Sequence, residues 1–129
     1  MSGYTMINLM EVENRAVDGG STLDSRFARG QIDSDHIGVS YFRYAPDRRS
    51  SRGHSHREQE EVYVVLGGSG RVKLDDELVD LRKWDVVRVA PKTVRGFSAG
   101  PDGLELLAIG SDRPEGGDGV HAEDDWWGD

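Results

Sequence analysis

Residues 53–70 read GHSHREQEEVYVVLGGSG. Two histidines stand one residue apart, a polar and acidic run follows, and then comes an apolar segment that ends in glycines. On a strand, positions i and i+2 share a face, so His54 and His56 would aim both imidazoles at one point. Neutral imidazole is the commonest side-chain ligand of transition metals. Glu61 follows His56 by five residues. The polar 57–60 segment can turn the chain, which places Glu61 at the start of the next strand, beside the histidines. Two histidines and one carboxylate form a facial triad that leaves positions on the ion open. A His-x-His pair also arises on polar surface strands, so its surroundings decide the reading.

Those surroundings read as strands. From residue 37 onward no long segment has helical periodicity. Short runs rich in Val, Ile, Tyr and Phe recur instead: 37–45 (IGVSYFRYA), 61–66 (EVYVVL), 71–74 (RVKL), 77–81 (ELVDL), 85–90 (DVVRVA) and 104–109 (LELLAI). Each is bounded by Gly, Pro, Asp or Ser, and such spacing predicts an all-β sandwich or barrel. Gly67-Gly68-Ser69-Gly70 and Asp75-Asp76 are the expected hairpin turns, since Gly and Asp tolerate positive φ. Residues 6–14 suit a strand or a short helix equally, and Asp18-Gly-Gly-Ser21 reads as a loop.

The stretch around the histidines resembles the first motif of the cupin superfamily: a histidine pair, a short spacer, a glutamate, and an apolar strand ending in glycine. Here these are His54, His56, Glu61 and Gly67, with Glu60 meeting the looser spacing. Residues 84–100, WDVVRVAPKTVRGFSAG, are similar to the second motif through Asp85, Pro91 and Gly96-Phe97. The resemblance covers residues 37–110 and implies a small antiparallel jelly-roll β-barrel. It agrees with the strand count. Residues 1–36 are then an N-terminal arm and 111–129 an acidic tail, a mobile terminus by composition. Trp126 and Trp127 favour docking instead, because a free tail would leave two indoles in water.

Three departures from the motifs stand out. Trp84 replaces the glycine before Asp85, and Thr93 stands where a glycine is common. Arg95 occupies the place of the third histidine, and a guanidinium has no lone pair for a metal. Three readings of Arg95 are open. It pairs with an anionic substrate beside a three-ligand metal; it bridges to Glu61 in a metal-free pocket with the histidines as acid and base; or it faces solvent. Tyr63 shares the strand parity of Glu61, so it suits a cavity wall or a core position. Arg95 and Tyr63 are the candidate catalytic residues; His54, His56 and Glu61 are the candidate ligands. His36 and His121 have no spacing that joins them to the set.

The implied function is a cupin that binds a divalent transition metal (Fe, Mn, Ni or Zn) and acts on a small organic anion. The chemistry would be of dioxygenase, isomerase or decarboxylase type. The alternative is a metal-free cupin that binds or senses a small ligand. The resemblance also implies a homodimer. Arg48, Arg49, Arg52 and Arg57 form a local cationic patch, either a solvated loop or a guide for an anionic ligand.

Composition narrows the classes. A chain of 129 residues suits one domain. A net charge of −8 disfavours nucleic acid and anionic membranes as partners. No cysteine is present, which excludes disulfides and thiolate sites. The N-terminus does not read as a signal peptide and no apolar run spans a bilayer, so a cytoplasmic location is expected. The GGSG segment leads into a strand, not a helix, which argues against a phosphate loop.

Overall fold

The computed structural model describes residues 3–16, 20 and 22–129. The loop expected at residues 18–21 lies, apart from Gly20, outside the described residues. Among the described residues, eight strands form one curled antiparallel sheet: β1 (Leu23–Phe27), β2 (Gly38–Tyr44), β3 (His54–His56), β4 (Glu61–Leu74), β5 (Glu77–Arg82), β6 (Val86–Val89), β7 (Arg95–Gly110) and β8 (Gly119–His121). This is the all-β architecture that the strand pattern predicts, in the jelly-roll form that the resemblance implies. The only helical element among the described residues is a 3-10 turn over Leu9–Glu11, opened by Asn8, whose Oδ1 accepts from the Met10 amide at 2.9 Å.

β4 and β7 are the frame. They pair along their whole length, from Glu61 opposite Gly110 to Leu74 opposite Arg95. β7 also borders β2 through its C-terminal half, while β4 borders β5 and β6. Alternation sorts the side chains. Glu61, Tyr63 and Val65 share one face of β4, and Leu104, Leu106 and Ala108 share one face of β7. Val65 and Leu106 are fully buried in a core that also holds Tyr44, Val72, Leu81, Val89 and Phe97. β1 adds an edge strand through pairings from Leu23–Tyr44 to Phe27–Ser40.

The glycine-rich segment corrects the expectation of a hairpin. Residues 67–70 make no turn; β4 runs straight through them, with register shifts between Val65 and Gly67 and between Gly68 and Gly70. The glycines serve close approach instead. Gly68 has a φ of +70°, and a Cβ there would lie 2.0 Å from the Gly103 carbonyl oxygen. The expected runs 61–66 and 71–74 are therefore one strand, and 104–109 is the end of a longer one. The Asp75-Asp76 turn does join β4 to β5, with Asp75 at a φ of +53°. Trp84 has a φ of +74°, which explains why a glycine suits the position before Asp85.

The C-terminal segment is docked, not free. Trp126 packs against Gly53 and Gly96, where any Cβ would come within 2.8 Å of its ring. Trp127 donates from Nε1 to the Ser50 carbonyl at 2.7 Å. Arg49 pairs with Asp129 at 2.7 Å and Arg52 with Asp124 at 3.0 Å. The cationic loop thus holds the acidic tail, a use that neither reading of Arg48–Arg57 from sequence included.

Candidate metal centre

His54, His56 and Glu61 meet at one point. Each offers one ligand atom, and these atoms lie within 4.8 Å of one another. β3 supplies the histidines and the first residue of β4 supplies the carboxylate. His56 Nε2 is 3.1 Å from Glu61 Oε1, and His54 Nε2 is 3.8 Å from the same oxygen. Glu60, the other candidate, points away and pairs with Arg88 at the surface. His36 pairs with Asp112 in solvent, and His121 is exposed on β8.

Tyr63 and Arg95 hold the carboxylate from behind. The Tyr63 hydroxyl donates to Glu61 Oε1 at 2.5 Å. Arg95 is fully buried, so it does not face solvent. Its Nη2 lies 3.4 Å from Glu61 Oε1, and its Nη1 donates to the carbonyls of Pro91 and Thr93. Its Nε and Nη2 are buried without a hydrogen-bond partner among the described residues. Burial raises the Glu61 pKa, but the close approach of His54 and His56 and the hydrogen bond from Tyr63 outweigh it, and the net direction is down. Burial also drives the Tyr63 phenol well above its ordinary range, so it stays a donor.

One residue of the site was not visible in the sequence. Asp118 lies just before β8; its Oδ1 is 2.8 Å from His56 Nδ1, and its Oδ2 accepts from the amides of Glu58 and Gln59 at 2.8 Å each. Burial pushes this carboxyl up, but the two amides and His56 outweigh it and hold it at about 2. His56 is pushed up in turn, first by Glu61 against the cost of burial, and then by Asp118.

These residues fit a divalent ion. His56 Nε2 is buried beside Glu61 Oε1 and makes no hydrogen bond of good geometry among the described residues, which leaves it available to a ligated ion. The donor set is nitrogen and carboxylate oxygen, as such ions take. With neutral histidines, two carboxylates against one guanidinium leave the cluster one negative charge, so a cation is favoured there.

The centre opens on a cavity of about 740 Å³. His54, His56, Glu61 and Tyr63 line it above an apolar floor that includes Phe97 and Leu106. Arg15, Arg29 and Arg113 line it as well, whereas Arg95 does not. No helix among the described residues is long and apolar enough to cross a membrane.

Known proteins place this architecture. Residues 40–110 match the family model of the cupin domain. An uncharacterized protein of Methanocaldococcus jannaschii is 40% identical over 40 residues, which is 31% of this chain and 32% of that relative. The match therefore spans about a third of that relative's length. Among solved structures, a cupin protein from Bacteroides fragilis is 23% identical, with 87% of this chain and 86% of that chain covered and a TM-score of 0.73. The polyketide cyclase RemF from Streptomyces resistomycificus is 20% identical, with coverage of 94% and 89% and a TM-score of 0.74. At these identities the likeness of structure speaks for the fold alone. The family model covers more than half of the sequence and takes in the histidine pair, Glu61 and Arg95: the chain belongs to the cupin domain family.

Proposed function

We propose that this cupin holds a divalent transition metal through His54, His56 and Glu61 and acts on a small organic anion. The observation that carries the reading is the convergence of three ligand atoms within 4.8 Å at a cavity wall, with His56 Nε2 buried 3.1 Å from Glu61 Oε1. A metal bound there would act as a Lewis acid on an oxygen of the ligand. The protein's own residues have separable parts. Tyr63 donates to Glu61 and orients it. Arg95 neutralises part of the Glu61 charge from beneath, so it acts on the ligand set more than on the substrate. Arg15, Arg29 and Arg113 are the cations facing the cavity, and they suit a carboxylate or enolate. The cavity size suits a small molecule. Family likeness leaves isomerase, decarboxylase and oxygenase chemistry open, since a fold hosts many activities.

One observation favours a second reading, a metal-free cupin that binds or senses a small ligand. Arg95 already stands 3.4 Å from Glu61, as a resident cation would. Elemental analysis of untagged protein separates the two, with His56→Ala beside the wild type. Near-stoichiometric metal that disappears in the variant supports the three-ligand centre. Wild-type protein that takes up none of Fe, Mn, Ni or Zn on incubation leaves the metal-free pocket in its place.

A further inference from the structure

β3 is three residues long and borders β7 through a single pairing, His54 with Arg95. Its other edge is covered over its full length by β8, which pairs His54 with His121, Ser55 with Val120 and His56 with Gly119. The C-terminal segment therefore supplies most of the backbone support of the histidine strand. It also delivers Asp118, whose side chain is only 1% exposed. The Asp118 carboxylate takes two backbone amides on one oxygen and faces His56 Nδ1 with the other. An ionised carboxylate only accepts hydrogen bonds, and of the two carboxylates beside this ring only Asp118 meets it with hydrogen-bond geometry, so a neutral ring places its proton on Nδ1. A neutral imidazole that donates from Nδ1 carries its lone pair on Nε2. That is the nitrogen which lies 3.1 Å from Glu61 and makes no hydrogen bond among the described residues.

We infer that Asp118 is a positioning residue: the C-terminal segment locks His56 as the Nδ1–H tautomer and presents Nε2 to the centre as a donor. A bland role, bracing the turn at Glu58 and Gln59, accounts for the two amide bonds but leaves the contact to His56 without a use. The link to metal affinity rests on the metal reading above; the tautomer does not. A carboxylate behind a ligating histidine fixes its ring and raises its basicity, and removing one weakens metal binding by roughly 10–100-fold.

The test is long-range proton–nitrogen NMR of the imidazoles in full-length, metal-free protein, in buffer alkaline enough to keep the rings neutral. His56→Gln assigns the signal. Wild type should show His56 protonated on Nδ1. Asp118→Asn keeps an oxygen for the amides but turns an N–H toward Nδ1, so the proton should move to Nε2. Zinc titration by calorimetry should then show affinity lower by roughly 10–100-fold, with a cooperative melt retained. A wild-type His56 protonated on Nε2 overturns the inference even if the variant fails to fold. So does an Asp118→Asn protein with unchanged tautomer and affinity. A wild type with the Nδ1 proton but no affinity for zinc or another divalent metal upholds the positioning role and sinks the metal reading.

Discussion

Glu61, Tyr63 and Arg95 belong to β4 and β7, strands of 14 and 16 residues that pair along their length and carry the core. His54 and His56 belong to a three-residue strand wedged between one pairing on β7 and the C-terminal segment. The carboxylate half of the centre thus inherits the stability of the barrel, whereas the histidine half depends on a local docking. Local openings need not cost the global unfolding energy, and short elements with few buried apolar contacts open first. The same site therefore joins a rigid wall to a wall that can loosen alone.

Breaking the rigid half should cost the whole fold. Leu106 is fully buried on β7, and Leu106→Ala should destabilise the protein by about 2–5 kcal/mol, read as a shift of the denaturant midpoint. If the loss appears without any change at the histidines, the two halves are less coupled than their shared strand implies. A smaller effect should confine itself to the other half. Gly96→Ala places a methyl 2.8 Å from the Trp126 ring and should cost about 1–3 kcal/mol by displacing the indole. Tryptophan emission should shift to the red, and protease sensitivity should rise within residues 111–129. Protection equal to wild type would show that the tail holds without this contact. The smallest effect has the opposite sign. Trp84 is an exposed non-glycine residue at a φ of +74°, in the turn between β5 and β6. Trp84→Gly should relieve about 1 kcal/mol of strain, raise the melting temperature slightly and leave metal content unchanged.

What the sequence disclosed follows from how local each feature is. His54, His56 and Glu61 lie within eight residues, and the strand period alone puts the two histidines on one face. The parity of Tyr63 with Glu61 likewise carried it to the cavity wall. The turn at Asp75 was legible because its residues tolerate positive φ. Gly67–Gly70 misled because glycine permits both a turn and a close approach of two backbones, and only the partner strand tells them apart. Asp118 was beyond reach: it is 62 residues from His56, and a lone acid in a Gly-rich acidic tail has no periodicity to mark it. The burial of Arg95 depends on carbonyls at Pro91 and Thr93 and on a glutamate in another strand, which its motif position does not specify.

The order of assembly gives the docked segment a further meaning. The barrel core rests on the long pairing of β4 with β7, whereas β8 is a three-residue strand docked at the edge of β3, and short elements can open and close apart from the rest. The barrel can close around Glu61, Tyr63 and Arg95 while β3 still lacks its outer neighbour. His56 is then free to offer either ring nitrogen until the 118–121 segment docks. The histidine half of the proposed donor set is thus completed last, and before docking it would offer an ion a weaker site than the finished fold does.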